Sequence, residues 1–436
     1  MKTMLTTLLA ATTLLYVQNS SADDFVKVEG KKFVVEGKPY YYIGCNYWYG
    51  GILGSTGEGG DRRRLLQEFD TMKKLGVNNL RILAGAEGPN DEPFRVTPAL
   101  QLAPGKYDPA LLDGLDFLMA EMGKRGFHAV LYLNNSWDWS GGFAQYCNWN
   151  GDGPIPYPMV LHSWEPFKKY AARFLGCDQC KEQFREDIRF ILTRTNKYTG
   201  KSYINDPTIM AWEIANEPRA FGKENKENIP ALEKWIKDTA ACIKSLDKNH
   251  LVTTGTEGKV GCEGSFELFE RIHADNNIDY LTMHIWPKNW GWLNIKDIPG
   301  SLDKSITNTD QYMDGHIAVA RKLNKPVVLE EFGLPRDHHG YTLAETTACR
   351  DKYYENIFRL VLQHAREKDV LAGCNFWAYA GAGRPVAGQT YWKKGDDYLG
   401  DPPVEEQGLN SVFDKDTTMK VVARYAHLVN TAARGD

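Results

Sequence analysis

Along most of the chain, short apolar runs alternate with stretches in which apolar residues recur every three or four positions. The runs cover residues 41–46, 79–83, 128–134, 209–217, 251–255, 280–284, 326–333 and 373–377. Continuous apolar runs of this length read as strands buried on both faces. The intervening stretches, such as 61–75, 108–125, 180–197, 229–246, 309–323 and 345–368, carry the periodicity of amphipathic helices. Eight strand-and-helix units in one chain predict an α/β fold, a single closed (β/α)8 TIM barrel. Ahead of them, residues 25–39 alternate with period two around Gly30-Lys31 and predict a short N-terminal β-hairpin that plugs or braces the barrel. Residues 23–436 hold no linker, low-complexity tract or repeat, so one catalytic domain is expected there.

The first 22 residues follow another pattern. Lys2 precedes the apolar run Leu8–Leu15, and Ser20 and Ala22 supply small residues at a cleavage site, the layout of a secretory signal peptide. The run is too short for the ~20 residues of a membrane helix. The mature chain is therefore expected to be secreted, extracellular and monomeric, with no membrane partner. All 8 cysteines lie beyond the cleavage site, and an even count in an exported chain favours disulfides. Cys177 and Cys180 are expected to form a tight structural bridge rather than a redox motif; the other pairings stay open.

Charge and composition narrow the ligand. A net charge of −4 with acids and bases interspersed does not suit a nucleic-acid partner. Twelve Trp and 22 Tyr point toward a neutral, stackable ligand such as a sugar. The segment after the first run, Asn46-Tyr47-Trp48-Tyr49-Gly50-Gly51, lacks the spacing of a phosphate-binding glycine loop. No cofactor or metal is expected; His338-His339 has no accompanying ligand cluster and reads as a loop pair.

In a (β/α)8 barrel, chemistry gathers at the C-terminal ends of the strands. Seven of the eight runs carry a polar or indole side chain there: Asn46, Arg81, Asn134, Glu217, His284, Glu331 and Trp377. Glycoside hydrolysis needs two carboxyl groups flanking the bond, and the fourth and seventh strands supply Glu217 and Glu331 from opposite sides of the mouth. A separation of ~5–5.5 Å gives a retaining enzyme. Glu330 neighbours Glu331 on the strand, so only one of the two is expected to enter the site. Glu213 shares the side-chain parity of Glu217 and is expected deeper, as a buried partner of Arg81.

The stretch Asn205–Arg219, with Trp212, Glu213 and Asn216-Glu217-Pro218-Arg219 in place, resembles the fourth-strand motif of glycoside hydrolase family 5, in particular its endo-β-1,4-mannanase branch. Asn79-Leu80-Arg81, Met283-His284-Ile285-Trp286-Pro287, Glu330-Glu331-Phe332-Gly333 and Phe376-Trp377 follow in the expected order. The resemblance implies that Glu217 is the acid/base and Glu331 the nucleophile. It places Arg81 beneath the nucleophile and Asn216 on the sugar 2-hydroxyl, has His284 hold the acid/base region, and makes Trp377 the floor of the −1 subsite. Arg219 would meet the sugar on the leaving-group side. One departure is Trp286, where the family often has Tyr; an indole N–H donates but cannot accept.

The long connection between the third and fourth strands offers Trp137 and Trp139 to line a sugar groove, and Trp290, Trp292 and Trp392 are similar candidates. The substrate is expected to be a β-mannan-type polysaccharide. An endo-β-1,4-glucanase on the same scaffold and a non-catalytic carbohydrate-binding protein are the alternatives.

Overall fold

The computed structural model describes residues 24–92, 94–222 and 227–435. The expected signal peptide, residues 1–22, lies outside them. Eight parallel strands form the barrel: β1 (Tyr42–Asn46), β2 (Asn79–Leu83), β3 (His128–Tyr132), β4 (Ile209–Glu213), β5 (Leu251–Thr253), β6 (Leu281–Ile285), β7 (Val327–Phe332) and β8 (Leu371–Phe376). Each is followed by a helix: α1 (Arg62–Leu75), α2 (Pro109–Arg125), α3 (Asp178–Leu192), α4 (Asn228–Leu246), α5 (Phe266–His273), α6 (Ile298–Leu323), α7 (Ala348–Glu367) and α8 (Thr418–Arg434). Every strand residue is buried except His128, as expected of strands covered by helices outside and filled by side chains inside.

The ladder runs in the order β5-β4-β3-β2-β1-β8-β7-β6. Between β5 and β6 scattered bonds replace it: Asp279 N donates to Val252 O at 2.8 Å, His284 N to Glu257 O at 3.2 Å, and Thr282 Oγ1 to Thr256 O at 3.0 Å. The N-terminal segment has one strand more than the predicted hairpin, an antiparallel sheet of Lys27–Glu29, Lys32–Val35 and Lys38–Tyr40. Phe33 packs edge-on against Tyr280, 5.2 Å away, just before β6, so this sheet braces the N-terminal end of the barrel, away from the catalytic face.

Asp61 and Asp108 cap α1 and α2 by accepting backbone N–H bonds. Helix α6 begins well before the expected position, because Asp297 caps it and Pro299 sits in its first turn, where no N–H partner is needed. The cysteines correct one expectation. Cys177 and Cys180 are bridged, with Cα atoms 5.2 Å apart, but Cys45, Cys147, Cys242, Cys262, Cys349 and Cys374 are free. Five of these six are buried and serve as small apolar packing residues.

Candidate active site

Past β4 the chain turns sharply. Ile214 N donates to Thr253 O at 3.0 Å, Asn216 N to Asn134 O at 2.8 Å and Glu217 N to Gly255 O at 2.9 Å, so the segment is pinned between β3 and β5. Glu217 itself adopts a left-handed φ of 50°, a conformation that costs a non-glycine residue ~1–3 kcal/mol and recurs at functional sites. Gly255 permits this approach: a Cβ there would fall 2.0 Å from Ala215 O and 2.2 Å from Glu213 Oε1.

Glu331 projects from the end of β7 into the same cavity, about 490 Å³ in volume. One oxygen from each carboxylate and one nitrogen of His284 lie within 4.8 Å of one another. This is the only group among the described residues with the donors to hold a metal, and its hydrogen bonds account for its arrangement. His284 Nδ1 lies 2.8 Å from Glu217 Oε1 and 3.4 Å from Glu331 Oε2. Burial, then the positive fields of Arg81 and Arg219, hold His284 well below its usual pKa, so the ring is neutral and Nδ1–H donates to Glu217.

Arg81 is fully buried beneath Glu331. Its Nη1 contacts Glu331 Oε1 at 2.5 Å, and its Nε and Nη2 form a fork on Glu213 at 2.8 and 2.5 Å. Asn46 and Asn216 accept its remaining bonds at 3.0 and 2.8 Å. Burial raises both Glu217 and Glu331 above the usual carboxylate range. Arg81, in direct contact with Glu331 alone of the two, opposes that rise there. Glu217 feels the opposing fields of Arg219 and Arg81. It also accepts from Trp137 Nε1 at 2.5 Å, and Trp286 adds a hydrogen bond that lowers its pKa. At the departure from the family pattern, the indole thus hydrogen-bonds Glu217.

Eight of the ten expected site residues line the cavity: Trp137, Trp139, Asn216, Glu217, Arg219, Trp286, Glu331 and Trp377. Arg81 and His284 lie beneath them. Arg219 is an ion-pair partner as well as a lining residue, its Nε 2.5 Å from Glu257 Oε2. Glu330 stays out of the cavity, with Tyr280 Oη donating to it at 3.3 Å and His284 Nε2 lying 3.9 Å away, beyond hydrogen-bond reach. Trp290 lines the cavity, Trp292 packs behind it at 4.9 Å, and Trp392 lies elsewhere.

Sequence reasoning missed Glu257, Trp164, Glu405, Glu406 and Asn410, all in the cavity wall. Glu257 had a usable signal: β5 was the one run without a polar end, and Glu257 follows it by four residues. The others sit on loops whose path no periodicity reveals.

A family model described as GH family 5 beta-mannosidase-like matches residues 23–434. The putative mannan endo-1,4-beta-mannosidase 9 of Oryza sativa subsp. japonica is 32% identical over 392 residues, covering 85% of each chain. The structure of the glycoside hydrolase family 5 mannosidase from Rhizomucor miehei superposes with a TM-score of 0.87 at 35% identity, covering 96% of this chain and 100% of that one. The endo-1,4-beta-mannanase from the same organism gives 0.67 at 25% identity, covering 93% and 99%.

Proposed function

The chain belongs to the β-mannosidase-like members of glycoside hydrolase family 5 and is a glycoside hydrolase acting on mannan; from that premise we propose that it is secreted and cuts internal β-1,4-mannosidic bonds with retention of configuration. The carrying observation is the pair Glu217 and Glu331, with one oxygen of each within 4.8 Å of the other and a cation against only one of them. That separation belongs with retaining enzymes, since inverting ones need ~6.5–9.5 Å between carboxyls to admit a water.

In the first step Glu331 attacks the anomeric carbon while Glu217 gives its proton to the departing glycosidic oxygen. A covalent mannosyl ester forms on Glu331 and the C–O bond to the leaving sugar breaks. In the second step Glu217, now a carboxylate, takes a proton from water, whose oxygen displaces Glu331 and restores both groups. Asn216, held by Arg81 and by its own donation to Asn135 Oδ1 at 3.1 Å, is placed to bond the sugar 2-hydroxyl. The signal peptide, 1–22, would be removed on export, leaving 23–436 as the catalytic domain.

A second mode of action has its own support. The connection after β8 puts Glu405, Glu406 and Asn410 into the cavity wall, a form that suits removal of single mannosyl units from chain ends. The Rhizomucor miehei mannosidase also superposes better than the endo-mannanase. Digestion of linear β-mannan decides between them: internal cutting gives mixed oligosaccharides and a fast viscosity drop, whereas terminal cutting gives mannose alone. Proton NMR of the first product tests retention, and initial α-mannose would sink the mechanism. A preference for carboxymethyl-cellulose would transfer the same chemistry to β-glucan. Inactivity on every polysaccharide would favour the binding-protein alternative.

A further inference from the structure

A second groove of about 760 Å³ opens on the catalytic face, outside the cavity that holds Glu217 and Glu331. Its walls are the connections after β2 and β8, which arch over the short connection after β1 and are tied together by Tyr398 Oη donating to Thr97 O at 2.7 Å. Phe94 meets Tyr391 edge-on at 5.5 Å, and Trp392 lies on the Tyr398 ring at 5.3 Å and 22°. Phe94 is also held at a left-handed φ of 59°. A non-glycine residue in that conformation needs its surroundings to hold it there, and such residues cluster at ligand clamps.

The groove offers rings beside amides. Asn90 lines the groove and is held by accepting from Ala99 N at 2.8 Å through its amide oxygen. Gln389 is fixed by a bond to Asp396. Two of the groove's cations are occupied: Lys394 pairs with Glu58 at 2.9 Å, and Arg95 donates to Gln145 and Tyr157. Aromatic faces with a few fixed polar groups are the chemistry that recognises a neutral polyol. The two sites share a wall, since Trp377, Trp139, Trp48, Tyr398 and Trp392 form an unbroken series of ring contacts at 6.2, 6.2, 5.9 and 5.3 Å.

We propose that this groove is a second saccharide-binding site, which holds a segment of β-mannan beside the catalytic cavity and keeps the enzyme on its polymeric substrate. The proposal rests on the mannan reading above. It predicts a separation between substrates: a short oligosaccharide fills only the catalytic cavity, whereas an insoluble chain engages both.

The test uses the full mature chain and a Tyr391→Ala/Gln389→Ala variant, with matched melting temperatures as the folding check. Retention on insoluble linear β-mannan and its hydrolysis should each fall about fivefold, the worth of roughly one stacking contact, while kcat/KM on soluble mannotriose stays at the parent value. In parallel, hydrogen exchange of the Glu331→Ala chain with intact mannohexaose should show protection over residues 386–394, which keeps the test open if the double variant misfolds. Unchanged retention with no such protection overturns the site. An equal loss on mannotriose also overturns it, by making the groove part of the catalytic cavity. A parent chain that turns over no mannan at all removes the premise, an outcome visible before any variant is made.

Discussion

Two buried clusters flank the mouth of the barrel, and they treat acidic side chains in opposite ways. Beneath Glu217 and Glu331, the Arg81 guanidinium touches two carboxylates directly, Glu213 and Glu331. Beneath the loop carrying Trp137 and Trp139, Glu87, Asp138 and Asp187 are equally enclosed, but the nearby Arg95 gives its hydrogen bonds to Gln145, Tyr157 and the Glu87 carbonyl, not to a carboxylate. Burial lifts Glu87 to about 8 and Asp138 and Asp187 to about 7. The contrast shows what a guanidinium does: where it meets a carboxylate it opposes the rise that burial imposes, and where it turns away burial acts with less opposition and the acid becomes scaffolding.

The largest effect that would break this contrast is at Glu331, the proposed nucleophile. Glu331→Ala is expected to lower kcat on the order of 10⁴-fold or more while mannan binding survives; residual turnover near the parent rate would remove Glu331 from its role. Next comes the cation. Arg81→Met leaves Glu213 and Glu331 buried without a partner, and urea denaturation at neutral pH should show a loss of ~3–5 kcal/mol. A loss below ~1 kcal/mol would mean that the two clusters do not differ in charge.

A smaller effect concerns Glu257, which pairs with Arg219 beside Glu217. In Glu257→Gln the full field of Arg219 falls on Glu217 and lowers its pKa, so the alkaline limb of kcat/KM should move about one pH unit toward acid. An unmoved limb would make the Arg219–Glu257 pair purely structural. The smallest effect tests the scaffold cluster. An acid whose folded pKa lies above its unfolded value of ~4 binds its proton more tightly when folded, so its contribution is complete below ~4 and is lost as pH rises through 7 to 8. The part of the stability that these acids contribute should fall between about pH 4 and 8 and level off above, and Glu87→Gln, which keeps an acceptor for Gly142 N, should flatten that fall in melting temperature.

Much of this arrangement was legible before any coordinates. The barrel strands follow from runs that bury both faces, and Glu217, His284, Glu331 and Trp377 stand out because the fold places strand ends at one mouth. Glu213 could be assigned to Arg81 from the parity it shares with Glu217 along the fourth strand. What stayed hidden depends on chain path. Glu405, Glu406 and Asn410 reach the cavity through a connection with no periodicity, and the pairing of Arg219 with Glu257 depends on how two loops cross. Spacing likewise left the cysteines unresolved, since bond formation requires Cα atoms within ~7 Å and a count does not supply distance.

The interrupted ladder between β5 and β6 has a consequence for motion. Elsewhere the ring is closed by runs of paired amides, but at this seam it is closed by isolated bonds through Asp279, Thr282 and Glu257. Amide exchange should therefore begin at the β5–β6 seam and reach the β1–β8 side last. The seam runs beneath Glu257 and Arg219, so the side of the cleft they line should open before the β1–β8 side that carries Trp377.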